Sequence, residues 1–117
     1  MCSSDLLVVE DEPLIALELR AALEAAGATV VLKTVRSAAQ AIAQQGFSAA
    51  ILDLRPGASD HRPIARLLKR RGVPFMFYST HPPEDVTTVR GAPVVLKPED
   101  ANGVVKAVVL LLRQGGA

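Results

Sequence analysis

Little in this chain supports a covalent framework or a cysteine- or histidine-built metal cage. Cysteine occurs once, at Cys2, which excludes an intramolecular disulfide and a cysteine-based zinc site. The two histidines, His61 and His81, are well separated in sequence; a histidine-rich metal site is not expected, and both side chains are expected at the surface. Tryptophan is absent and aromatic residues make up 3% of the chain, too few for platforms on which nucleic-acid bases stack. Neither sign of charge dominates: thirteen Lys and Arg stand against twelve Asp and Glu, for a formal net charge of +1. An electrostatic nucleic-acid binder shows a clear basic excess, so no direct nucleic-acid partner is expected. No run approaches the ~18 consecutive apolar residues of a membrane span. Asp5 and Glu10 interrupt the stretch where a signal peptide needs an apolar core, so the expected location is the cytoplasm and no membrane contact is foreseen.

What is present suits one folded domain. The chain has 117 residues, half of them hydrophobic and 21% charged, the balance of a globular protein with a single core. A single domain over 1–117, with its core at about 5–113, is expected. Short continuous apolar runs occur at Leu6–Val9, Val30–Leu32, Ala49–Leu52, Phe75–Tyr78 and Val94–Leu96. Runs of this kind fit strands buried on both faces of a parallel sheet. The intervals have helical period. Ile15, Leu19, Ala22, Leu23 and Ala26 mark one helix, stopped by Gly27. Ser37 is expected to cap a second helix that runs through Gln45 and is closed by Gly46. Ile64, Leu67 and Leu68 mark a third, with Asp60 as a cap and Gly72 as the stop. Ala101, Val104, Val105, Val108, Leu111 and Leu112 mark the last, capped near Asp100. Val109 and Leu110 extend that stripe, as packing or as a contact surface. The interval from Ser79 to Pro93 has two prolines and little apolar periodicity, so any helix there is short, near Glu84–Val89. Strand and helix alternate throughout, which reads as a doubly wound α/β domain with five parallel strands and helices on both faces.

In such sheets ligands bind beyond the carboxyl ends of the strands, and the polar residues fall there. The first run ends in Glu10-Asp11, the third in Asp53, the fourth in Ser79-Thr80 and the fifth in Lys97-Pro98. Clustered carboxylates repel unless a cation neutralises them. An all-oxygen set favours a hard ion such as Mg²⁺, which is held by one or two carboxylates, waters and a phosphate. Lys97 adds a mobile positive charge and Ser79 a donor, a combination suited to a phosphoryl group. A carboxylate can itself act as the nucleophile and become an acyl phosphate. Asp53, at the end of the middle strand, is the natural choice.

At these residues the chain resembles response-regulator receiver domains. Leu-Leu-Val-Val-Glu-Asp-Glu-Pro-Leu-Ile (6–15) is similar to their opening, and Ala-Ala-Ile-Leu-Asp-Leu (49–54) to their phosphoacceptor strand. Val-Pro-Phe-Met-Phe-Tyr-Ser-Thr (73–80) and Val-Leu-Lys-Pro (95–98) match the fourth and fifth strands. The interval from Asp11 to Asp53 suits two βα units, and the resemblance spans essentially the whole chain. It implies a flavodoxin-like sheet of strand order 2-1-3-4-5 and a stand-alone switch of a two-component or phosphorelay pathway. Such a domain assists its own phosphorylation and dephosphorylation and is not otherwise an enzyme. Asp53 would take the phosphoryl group from a histidine kinase or histidine phosphotransfer protein. Asp11, Asp53 and the backbone carbonyl of Arg55 would ligate Mg²⁺, with Glu10 acting through water. Ser79 would bond a phosphoryl oxygen and Lys97 would pair with the phosphoryl group. The peptide before Pro98 would be cis. Output would pass through protein contacts of a monomer or weak dimer.

Departures from the family pattern also carry expectations. The position three before the lysine often holds an aromatic switch and here is Val94. The interval from Ser79 to Lys97 is shorter than usual, which implies a shortened fourth helix. Phe-Tyr-Ser-Thr-His (77–81) partly resembles the Phe-Ala-Thr-Gly segment of a receiver subgroup common among alphaproteobacterial single-domain regulators. Arg55 and His81 would flank the path of the hydrolytic water, with Thr80 narrowing its entrance. Arg55 would act as a lid, opposed by His81 as a general base, and slow hydrolysis is expected. Two other readings stand beside this one: a phosphorylation-independent protein-binding module on the same fold, and a Mg²⁺-dependent enzyme. The enzyme reading is disfavoured because Asp53-Leu54-Arg55 lacks a second acidic residue.

Overall fold

The computed structural model describes residues 5–54, 61–79, 94–96 and 101–115. In chain order these form β1 (Asp5–Val9), α1 (Pro13–Ala25), β2 (Thr29–Lys33), α2 (Val35–Gln44), β3 (Ala49–Leu54), α3 (Arg62–Arg70), β4 (Phe75–Ser79), β5 (Val94–Leu96) and α4 (Ala101–Gly115). The strands join in one sheet of order β2-β1-β3-β4-β5, and every pairing is parallel. The segment expected to hold a shortened helix, Glu84–Val89, lies outside the described residues, as do Asp60 and Asp100, expected to cap the third and last helices.

The apolar runs are continuous because both sheet faces are covered. Successive strand residues point to opposite faces, and the core divides accordingly. Leu7, Val9, Ala50, Leu52, Phe75 and Phe77 pack with Ala38, Ile42, Ile64 and Leu68 of α2 and α3. Leu6, Val8, Ala49, Ile51, Met76 and Tyr78 pack with Leu19 and Leu23 of α1 and Val104, Val108 and Leu111 of α4. Fully burying a leucine such as Leu23 or Leu68 stabilises by about 1.5–3 kcal/mol. Phe75 and Phe77, two residues apart on one face, meet edge to face with ring centroids 5.8 Å apart.

The helix ends follow from local chemistry, with two corrections. Pro13 opens α1, where its missing amide costs no hydrogen bond. Gly27 (φ 100°) and Gly72 (φ 71°) take the left-handed region. They end α1 and α3 in the same way: Ala28 N–H donates to Leu23 O and Gly27 N–H to Glu24 O, while Val73 N–H donates to Leu68 O and Gly72 N–H to Lys69 O. The second helix does not start from Ser37. It begins one turn earlier, with Thr34 at the cap position, and Ser37 Oγ accepts the Thr34 amide at 3.2 Å. Nor does Gly46 close it, because Gln45 already leaves the helix in an extended conformation. In α4, Leu112 packs against the core and Val109 is half-buried. Leu110 is 58% exposed, as are Leu14 and Leu17 of α1 to similar or greater degree.

Candidate functional site

Five parallel strands point their carboxyl ends at one rim, and two acids there are withdrawn from solvent. Glu10 immediately follows β1 and is 6% exposed; Asp53, next to last in β3, is 3% exposed. The β1–β3 register pairs Val8 with Ile51 and Val9 with Leu52. Glu10 therefore leaves β1 one step beyond the last pair, level with Asp53 on the central strand. The backbone holds Glu10 in place: its amide donates to the Lys33 carbonyl at 3.1 Å, extending the β1–β2 ladder. Its Oε1 accepts the Glu12 amide at 3.0 Å. That hydrogen bond fixes the turn from β1 into α1 and aims one carboxylate edge inward. Asp11, next in the chain, is exposed. An open cleft of about 440 Å³ adjoins this corner on the β2 side, bounded by Glu10, Asp11, Pro13, Leu17, Lys33 and Thr34.

The structure thus brings together only part of the expected set. Glu10 and Asp53 are buried at neighbouring strand ends. Among the described residues, however, no group of three or more His, Cys, Asp or Glu side chains is gathered so as to hold a metal ion. Two oxygen-only carboxylates at one edge still fit a hard cation, because Mg²⁺ completes its shell with water and phosphate and does not use a cage made wholly of protein. Ser79 ends β4, abreast of Leu54 on β3 and Leu96 on β5. Lys97 follows β5 in sequence and, with Arg55, Thr80, His81 and Pro98, lies outside the described residues. Val94, which stands where many receivers carry an aromatic switch, opens β5 abreast of Phe77.

Tyr78 is buried, as expected of the run Phe75–Tyr78, and the β3–β4 register makes it the lateral partner of Asp53, a pairing that no local pattern gives. One residue here escaped the sequence reading. His61, expected at the surface, is 4% exposed. It precedes α3, where the chain returns from the carboxyl edge of the sheet, and its carbonyl accepts the Ala65 amide at 2.9 Å. No local apolar pattern announces that burial.

A doubly wound parallel sheet with buried carboxylates at the strand ends defines an α/β domain built to present an acidic rim. The receiver protein of Sinorhizobium medicae WSM419 superposes with a TM-score of 0.81 over 97% of each chain at 19% identity, a likeness of fold. SdrG from Sphingomonas melonis Fr1 is 38% identical, with a TM-score of 0.76 over 94% of this chain and 97% of that one. The regulator PhyR of Methylorubrum extorquens is 33% identical over 99 residues, which is 80% of this chain and 37% of PhyR. No protein-family model matches the chain. The chain belongs to the response-regulator receiver domains, a family that is in general regulatory. Among the described residues no helix is long and apolar enough to cross a membrane.

Proposed function

We propose that this domain is a phospho-accepting switch in which Asp53 takes a phosphoryl group from a phosphohistidine of a kinase or phosphotransfer protein. The observation that carries the reading is the burial of the Asp53 carboxylate on the central strand, level with buried Glu10. In the transfer, a carboxylate oxygen of Asp53 attacks phosphorus, the P–N bond breaks, and the imidazole leaves with the bonding pair and takes up a proton. Packing around β3 fixes the attacking oxygen and keeps competing water away. Mg²⁺, when bound, supplies charge neutralisation for the phosphoryl oxygens; Asp11, Asp53 and the Arg55 carbonyl would hold it, with Glu10 reached through water. Ser79 would donate to a phosphoryl oxygen and Lys97 would pair with the phosphoryl group. SdrG, 36% identical to this chain in its BeF3-activated conformation, supports the reading, since beryllofluoride on a carboxylate imitates an acyl phosphate. The signal would leave through contacts with a downstream protein, in the cytoplasm.

The test is gel retardation on a phosphate-binding matrix after treatment with acetyl phosphate or a purified histidine kinase. Wild type should shift in Mg²⁺ and not in EDTA, and Asp53→Asn should not shift. A persistent, acid-stable shift in Asp53→Asn would assign the phosphoryl group to another residue. A wild type that never shifts would leave the phosphorylation-independent module.

A further inference from the structure

The near-zero net charge conceals a strongly polarised surface. From residue 25 to 52, and again from 61 to 79, the sequence contains no Asp or Glu. These spans build the α2–α3 side of the sheet. They place Arg36 on α2 and Arg62, Arg66, Lys69, Arg70 and Arg71 on and just after α3, all exposed. Of the carboxylates of the described residues, Glu12, Glu18 and Glu24 lie on or beside α1 and Glu10, Asp11 and Asp53 at the rim, while Asp5 opens β1 at the amino edge of the sheet, where its carbonyl accepts the Ser48 amide.

Residues 62, 66, 69 and 70 recur at i, i+4, i+7 and i+8, so they form one stripe of α3. The opposite stripe, Ile64, Ala65 and Leu68, is buried. Lys69 and Arg70 in the last turn suit the helix dipole. Arg62 and Arg66 do not, because they stand toward the positive end. Like charges at i, i+4 destabilise a helix, and neither α2 nor α3 carries a carboxylate of its own. Arg66, Lys69, Arg70 and Arg71 make no ion pair among the described residues. Beside the stripe, between the carboxyl ends of α2 and α3, lies an open cavity of about 370 Å³ bordered by Gln44, Gln45, Phe47, Arg71 and Val73.

We propose that the α2–α3 face is a docking surface for an acidic helical segment of a partner protein. Arginine dominates the stripe, and its planar fork pairs with carboxylates in bidentate fashion. The cations span about 12 Å along α3 at 1.5 Å per residue, the length over which a glutamate-rich helix presents two to three turns of carboxylates. Nucleic acid is the poorer fit. A duplex extends beyond this face and meets the acidic remainder of a chain whose net charge is only +1, and all four aromatic rings, Phe47, Phe75, Phe77 and Tyr78, are buried. The stripe runs away from the Asp53 rim toward the opposite edge of the sheet, so the proposal does not depend on phosphorylation.

The experiment titrates the isotope-labelled full chain with a helical peptide carrying glutamates at i, i+4 spacing, at low and physiological salt. Shift changes should concentrate on α2 and α3. Binding should weaken with salt, and the peptide with glutamine in place of glutamate should not bind. Arg66→Glu/Arg70→Glu should weaken binding by about tenfold or more, equivalent to about 1.4 kcal/mol, and Arg66→Gln/Arg70→Gln by less; both should melt cooperatively. Shifts centred on another face, binding indifferent to both double variants, or tighter binding of a random-sequence DNA duplex would overturn the proposal. So would low-salt self-association of the chain that the same variants abolish, since a second copy would then be the occupant.

Discussion

Replacing Asp53 by asparagine tests the electrostatics of the rim apart from any phosphoryl chemistry. Glu10 and Asp53 are both buried and sit level on adjacent strands. Neighbouring strands lie about 4.8 Å apart. Allowing for side-chain splay to about 6 Å, two unit charges repel by about 3 kcal/mol at an effective dielectric near 20. The Glu12 amide on Glu10 Oε1 and the surroundings of Asp53 offset part of that, leaving a net gain of about 1–2 kcal/mol when one charge is removed. Asp53→Asn is therefore expected to be more stable than wild type in EDTA, with Tm higher by about 3–8 °C for a domain of this size. Mg²⁺ should reverse the order. At one hundred times its dissociation constant a ligand of the native state adds about 2.7 kcal/mol, and wild type should collect most of this while Asp53→Asn collects little. Thermal melts followed by circular dichroism, with EDTA and with Mg²⁺, decide the matter. An Asp53→Asn protein that is less stable than wild type in EDTA, or that gains as much from Mg²⁺, would refute the argument.

Three further outcomes are expected. Leu68→Ala, which empties a fully buried site between α3 and the sheet, should cost about 2–5 kcal/mol in denaturant melts; a loss below about 1 kcal/mol would mean that α3 is not seated as described. Ser37→Ala removes the acceptor of the Thr34 amide and should cost about 0.5–1.5 kcal/mol, whereas an unchanged melting curve would show water replacing it at no cost. If Arg55 lies over the phosphoryl oxygens, the phosphorylated protein should persist for many minutes, Arg55→Asn should speed its decay, and His81→Ala should change it less. Decay of wild type within seconds in the absence of a phosphatase, or slower decay in Arg55→Asn, contradicts that lid.

The amino-acid order determined whatever depends on neighbours along the chain. Apolar runs such as Leu6–Val9 are continuous because a parallel sheet buries both faces, and that requirement is readable without knowing the partners. Gly27 and Gly72 mark helix ends, because left-handed backbone favours glycine. Acids placed directly after apolar runs mark the rim, since strand ends are where a parallel sheet meets its ligands. Element boundaries were less legible: Thr34 and Ser37 both have capping chemistry, and only the backbone path separates the cap residue from its partner one turn on.

Tertiary structure decided the rest. The strand order that the family resemblance implied is realised in long-range pairing, and only that pairing placed Tyr78 abreast of Asp53. Adjacent in sequence, Glu10 and Asp11 part company in space, one buried and one exposed, because the Glu12 amide holds Glu10 inward. His61, at the cap position of α3, is buried although its sequence surroundings are polar. The basic face emerged only when α2 and α3 were set on one side of the sheet and α1 and α4 on the other. A net charge is a sum over the sequence, whereas the field a partner meets depends on which charges the fold makes neighbours.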